Sequence, residues 1–136
     1  MGGADLEALT RKQLEPYVSK SHSRVSVRGV PVLLPPSLAT PFSLVLYELA
    51  VNAAKYGALS AAHGRVEVSW SLVPRDGGSR LSLVWRESDG PAPGDVARAG
   101  AGSALLDQAI PGATVTRVFE KTGLVCTLDV DLPGAR

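Results

Sequence analysis

The sequence predicts an α+β fold, a two-layer α/β sandwich whose mixed, mostly antiparallel sheet is covered on one face by about three helices. Three observations predict it. Apolar residues recur at helical spacing in two well-separated stretches. Later runs alternate apolar and polar with period two around glycine-bearing turns, the pattern of antiparallel hairpins. Finally, 136 residues with 45% hydrophobic and 20% charged content suit one domain with a real core, residues 1–136.

Taken in order, "DLEALTRKQLEPY" spaces Leu6, Leu9 and Leu14 on one side of a short amphipathic helix that Pro16 is expected to end. "RVSVRG" alternates as a strand, and "VPVLLPP" follows a glycine turn. "SLATPFSLVLYELAVNAAKYGAL" is the main helix. Ser37 or Thr40 could cap it, the tolerance of Pro41 in a first turn favouring the later cap, and Gly57 suits its end. In "GRVEVSWSLVP" a strand places Val66, Val68 and Trp70 on one face; "RDGGS" turns it and "RLSLVWRES" returns antiparallel. "DGPAPGDVARAGAG" supports no regular element and reads as a long functional loop. "SALLDQAI" is a short helix, and "TVTRVFE" with "LVCTLDVDL" forms a second hairpin around "KTG".

Composition excludes several classes. A formal net charge of +1 advertises neither nucleic acid nor an anionic membrane as partner. One cysteine rules out an internal disulfide framework and a multi-cysteine zinc site, and Cys126, in the alternating run "LVCTLDV", is expected to be a buried small hydrophobe. No apolar run reaches the length of a membrane span and no basic-then-apolar leader opens the chain, so a cytoplasmic location without membrane contact is expected. The opening "MGG" could be an appended start, which would make the chain a piece of something longer.

The main helix carries an oddity. At ~100° per residue, Asn52 lies roughly 40° round from Glu48, and Lys55 about 20° to its other side. Tyr56 flanks this stripe, while Phe42, Leu46, Leu49, Ala50 and Ala53 cluster where the sheet should be. A solvated face with one charge pair is the plain alternative. Asn52 weakens it, because asparagine is a mediocre helix former and Val45 and Val51 suggest partial burial. A magnesium–nucleotide complex would use all three groups: one amide oxygen for Mg²⁺, an ammonium for phosphate, and a carboxylate to orient or deprotonate an incoming group.

Two weaker motifs follow. "WRESDGP" places Glu87 at a strand end before Asp89 and Gly90, where an acid could accept from an exocyclic amine while the backbone approaches a planar ring. "GAGSALL" opens a helix with Gly100 and Gly102, so free N–H groups there could meet phosphate oxygens. It is not the dinucleotide fingerprint, since no parallel βαβ unit surrounds it. Each motif alone is as well explained by an ordinary turn or loop.

In order and spacing, "YELAVNAAKYGALS", "GRVEVSW", "WRESDGP" and "GAGSALL" together resemble the ATP-binding catalytic domain of histidine kinases, a Bergerat-type ATPase fold shared with gyrase, and in particular the HWE subgroup. The resemblance runs from the first helix to the last hairpin. It implies that Asn52 coordinates the Mg²⁺ bridging the triphosphate, that Lys55 contacts phosphate, and that Glu48 is a polarising catalytic base. Glu87 would read the adenine amino group, with Gly90 permitting close approach. Residues 91–101 would form the ATP lid, hinged at Gly100 and Gly102, with Arg98 a candidate for reaching phosphate. The implied ATP-contacting set also takes in Tyr56, Ser103 and Leu105. Trp85 is expected to pack rather than to stack on adenine.

The chain departs from that pattern at two places. Tyr47 stands where the subgroup carries a histidine, and Ala101 where an aromatic residue is usual. An acceptor for phosphorylation is a third absence: His22 in "SKSHSR" and His63 in "SAAHG" both read as surface residues outside any long amphipathic helix. The resemblance thus implies a kinase half. It would bind ATP and Mg²⁺, donate the γ-phosphoryl to a histidine on a separate dimerisation helix pair, and serve a downstream response regulator in a two-component system. The alternatives are a degenerate, non-catalytic interaction module of the same fold and a protein-serine kinase of the anti-sigma-factor type.

Overall fold

The computed structural model describes residues 3–18, 24–91, 108–121 and 123–133. Among these residues, two helices pack on one face of a five-stranded sheet. Helix α1 spans Leu6–Val18 and α2 spans Pro36–Lys55; the strands are β1 (Ala4–Asp5), β2 (Val25–Gly29), β3 (Leu33–Leu34), β4 (Arg65–Arg75), β5 (Gly78–Ser88), β6 (Thr114–Glu120) and β7 (Gly123–Pro133). The large sheet runs β2-β4-β5-β7-β6. Its β2–β4 pair is parallel and the rest antiparallel, as a mixed, mostly antiparallel sheet requires. β1 and β3 form a separate two-stranded ribbon that closes the N-terminus over the start of α2.

In α1, the Asp5 carboxylate accepts from the Ala8 N–H at 2.9 Å, satisfying one orphan donor of the first turn. Leu6 and Leu14 are fully buried. Pro16 does not end this helix, which continues to Val18. A proline near the end forfeits one hydrogen bond, to the Lys12 carbonyl, and the buried Leu14 holds the preceding turn in place. α2 also starts earlier than its side chains suggest. It begins at Pro36 with no side-chain cap, and neither Ser37 nor Thr40 serves as one. Pro36 supplies the preset φ of a first helical position, and the Leu38 and Ala39 N–H groups both reach the Pro35 carbonyl, at 2.9 and 3.1 Å. Pro41 therefore sits inside the helix, beyond its first turn.

The first hairpin is tighter than expected, because β4 runs to Arg75 and β5 starts at Gly78, leaving only Asp76 and Gly77 between the strands. Gly77 supplies the positive φ, +76°, that so short a turn demands. Val66, Val68 and Trp70 all face inward, as their alternation predicts. The Trp70 indole N–H donates to the Val30 carbonyl at 2.7 Å, and its ring lies over the bare Cα of Gly29. Phe42, Val45, Leu46, Leu49 and Ala53 of α2 meet Leu81, Leu83, Trp85, Cys126 and Leu128 in one continuous core. Cys126 is fully buried, as expected of a small hydrophobe. Each large side chain so enclosed contributes about 2 kcal/mol relative to its exposed state. The opposite sheet face carries exposed ion pairs such as Arg28–Glu67 and Arg86–Glu120. The expected third helix, 103–110, lies outside the described residues up to position 107; Gln108 and Ala109 are helical, and Ile110 joins the core.

Candidate functional site at the end of the main helix

The site is built where the C-terminal end of α2 meets the end of β5. α2 buries Phe42, Val45, Leu46, Leu49, Ala50 and Ala53 against the sheet. That choice of face turns Glu48 and Asn52 to a half-buried position and Lys55 and Tyr56 outward. Among the described residues, the side chains of Glu48, Asn52 and Lys55 make no hydrogen bond or ion pair. An amide oxygen, an ammonium and a carboxylate therefore stand on one stripe without a partner among the described residues. Tyr47 lies to the side of the stripe and is 52% exposed.

The helix ends in a tight sequence of turns. The Tyr56 N–H donates to the Asn52 carbonyl at 2.8 Å and the Gly57 N–H to the Ala53 carbonyl at 3.1 Å. A single 3-10 turn, Ala58–Ser60, follows. Gly57 has φ −112°, outside the left-handed region, so its expected role as a left-handed helix terminator is not the one it plays. Space is the reason for it: a Cβ there would stand 2.1 Å from Glu87 Oε1.

Glu87 arrives on β5, two residues after Trp85 and on the same inward face. It is 4% exposed. Its Oε1 accepts from the Ala58 N–H at 3.0 Å and its Oε2 from the Trp85 indole N–H at 2.9 Å. Burial pushes the carboxyl above its ordinary range, against the opposing pull of those two donors. Trp85 itself is fully buried, so it packs as expected, and the bond to Glu87 is an addition that the W-x-E spacing could have foretold. Beyond Glu87, Asp89 adopts φ +59°, a left-handed conformation that aspartate tolerates better than most residues. Gly90 packs on the protein itself, where a Cβ would come within 2.5 Å of the Ala58 Cα.

Sequence reasoning missed Ala58 and Arg24. The Arg24 guanidinium donates to the carbonyls of Gly64 at 2.8 Å, Ala58 at 3.1 Å and Ala61, tying down the segment after α2. No motif marks either residue. Arg98, Gly100, Gly102, Ser103 and Leu105, with Ala101 and most of the expected lid, lie outside the described residues. His63 is exposed, as expected; His22 is outside the described residues. Among the described residues no cluster of three or more histidine, cysteine or acidic side chains could hold a metal by itself. Mg²⁺ takes most of its ligands from water and phosphate, and the half-buried Asn52 amide, unpartnered among the described residues, is a fitting protein donor for it. Nor is any helix among the described residues long and apolar enough to cross a membrane.

Comparison with known proteins bears on this arrangement. No protein-family model matches the chain. It is 34% identical over 134 residues to a blue-light-activated histidine kinase of Rhizobium johnstonii, covering 96% of this chain and 36% of that protein. It is 38% identical over 135 residues to blue-light-activated histidine kinase 1 of Erythrobacter litoralis, again covering 36% of the relative. The chain thus spans little more than a third of the length of either relative. Among solved structures it superposes on the histidine kinase domain of a blue-light activated kinase of Erythrobacter litoralis with a TM-score of 0.68 at 20% identity, over 91% of this chain and 61% of that one. The mycobacterial sensor histidine kinase MprB gives 0.65 at 19% identity over 97% of both chains, and the catalytic domain of histidine kinase ThkA 0.64 at 14% over 96% of both. The chain is a homologue of histidine kinases along nearly all its length and has the fold of their ATP-binding catalytic domain.

Proposed function

We propose that this chain binds ATP with Mg²⁺ through the open stripe of α2 and donates the γ-phosphoryl to a histidine on a separate dimerisation helix pair. The observation that carries the reading is the stripe itself. In a chain that aligns along its length with histidine kinases, Glu48, Asn52 and Lys55 stand at helical spacing, unpartnered among the described residues, beside a buried core face.

In this reading the Asn52 side-chain oxygen holds the cation and Lys55 faces the phosphate oxygens, with Tyr56 beside it. When bound, Mg²⁺ supplies neutralisation of the charge that builds on the phosphates. Glu48 lies one helical turn before Asn52, where its carboxylate orients the incoming imidazole and accepts its proton. Catalysis is then positioning and charge neutralisation rather than covalent chemistry by the chain. Arg98, Gly100, Gly102, Ser103 and Leu105 belong to the lid side of the same proposal, on family likeness alone. A response regulator would take the phosphoryl group onward from the histidine.

Calorimetric titration tests this directly. Wild type should bind Mg·ATP, and Asn52→Ala should lose at least about tenfold in affinity, ~1.4 kcal/mol. Equal binding by both proteins, or none by either, removes Asn52 from the site. Supplying a dimerisation helix pair with its histidine, taken from one of the matched relatives, together with Mg·ATP labelled at the γ position should then label that histidine.

A further inference from the structure

Arg24 immediately precedes β2, and its guanidinium donates to three backbone carbonyls of one turn, the turn that joins the end of α2 to β4. Its Nε reaches Gly64 at 2.8 Å, and one terminal nitrogen reaches both Ala58, at 3.1 Å, and Ala61. A planar fork of fixed N–H donors can bridge three such oxygens at once. An ammonium is a single point of charge on a flexible stem and cannot hold them in the same geometry.

Ala58 is what this grip holds in place. It is 2% exposed, and two residues from the end of β5 lean on it. Its N–H donates to Glu87 Oε1 at 3.0 Å, and Gly90 packs so closely that a Cβ there would lie 2.5 Å from the Ala58 Cα. Gly64 closes on it as well, where a Cβ would lie 1.7 Å from the Ala58 oxygen. The Ala58 and Trp85 N–H groups each occupy one lone pair on a different Glu87 oxygen and leave the others open. Donors on both oxygens also fix the plane of the carboxylate, and with it the direction in which the open lone pairs face.

We infer that Arg24 is a positioning residue for the adenine end of the site. By gripping the carbonyl side of Ala58 it aims the Ala58 N–H at Glu87, and so orients the carboxylate whose open lone pairs accept from the 6-amino group. It acts through Ala58 and not on the nucleotide. The inference rests on the ATP-site reading, with Glu87 and Gly90 as its adenine end. A guanidinium that only stabilised the turn would affect every nucleotide alike, whereas one that aims Glu87 affects recognition of the amino group.

Calorimetry on the full chain compares Mg·ATP with the magnesium complex of purine riboside triphosphate, which lacks the 6-amino group. Wild type should prefer ATP by about tenfold, the worth of one hydrogen bond to a charged group. Arg24→Lys keeps the charge and loses the fork. Its preference for ATP should fall to about twofold or less, while its affinity for the purine riboside complex stays within about twofold of wild type. A preference that stays at the wild-type value in Arg24→Lys, whether or not both affinities drop, overturns the inference. So does a wild type without any preference.

Amide hydrogen exchange reads the grip without nucleotide. The Ala58 N–H should be protected in wild type, and Arg24→Lys should speed its exchange by about tenfold or more relative to amides in the centre of β5. An unprotected Ala58 N–H in wild type, a result that needs no variant to fold, overturns the inference, and so does a rate unmoved in Arg24→Lys. Failure of the ATP-site reading shows differently: neither triphosphate binds to wild type while its Ala58 stays protected, and the specificity role of Arg24 falls with that reading.

Discussion

Glu87 is an acid that folding strips of water and surrounds with neutral donors. Burial raises its carboxyl above the ordinary value of 4.5, because the Ala58 and Trp85 N–H groups do not replace the hydration it loses. The folded chain therefore holds this proton more tightly than the unfolded chain does. Its contribution to stability is fully present below 4.5 and is lost as pH rises through the higher folded value. Glu87→Gln cannot titrate. The melting temperature of the variant minus that of wild type should accordingly climb with pH across that window, measured by circular dichroism; a flat or falling difference would contradict the burial argument. Gly57 offers an independent check at the same place. Its φ of −112° is open to alanine, so Gly57→Ala tests space alone, and a Cβ 2.1 Å from Glu87 Oε1 should cost about 1–3 kcal/mol in urea denaturation. A neutral Gly57→Ala would mean the carboxylate moves freely.

Among the elements, α2 is the one whose sequence and structure differ most instructively. Its periodicity foretold which residues pack and which form the stripe, because a helix fixes the angle between any two positions. Its start was not legible. Ser37, Thr40 and Pro41 together imitate a cap followed by a first-turn proline, yet the β1–β3 ribbon and Pro35 hold the chain in helical entry one turn earlier. Pro41 is left in the interior without its N–H, and its ring crowds the Ser37 carbonyl. Pro41→Ala restores the missing bond and should stabilise the chain by about 1 kcal/mol in thermal melting, with α2 unchanged in extent. Destabilisation would show that the ring packs productively. β4 and β5 are the converse case: alternation and the Asp76–Gly77 turn set their register, and the strands pair throughout as that pattern requires.

For the molecule as a whole, ligand linkage gives the broadest prediction. If the stripe on α2 is an Mg·ATP site, nucleotide at about 100 times its dissociation constant should add ~2.7 kcal/mol to stability. The rise in melting temperature should appear for wild type, need Mg²⁺, and vanish at the same concentration in Asn52→Ala. A rise that persists in the variant would place the nucleotide elsewhere. Cys126 makes a small whole-molecule control: it is fully buried, so thiol reagents should modify it only as fast as the chain unfolds.

The sequence by itself determined the layer architecture, the packing face of α2, both hairpins and the stripe of Glu48, Asn52 and Lys55. All of these are local or periodic, set by the 3.6-residue helical turn, the two-residue strand repeat and the preferences of glycine in turns. Tertiary structure alone decided what Glu87, Gly57, Ala58 and Arg24 do. Glu87 lies 29 residues from Ala58, and Arg24 lies 34. Contacts across such separations depend on how β2, α2 and β5 stack, and an alanine whose role is to offer its peptide N–H and carbonyl leaves no mark in a sequence.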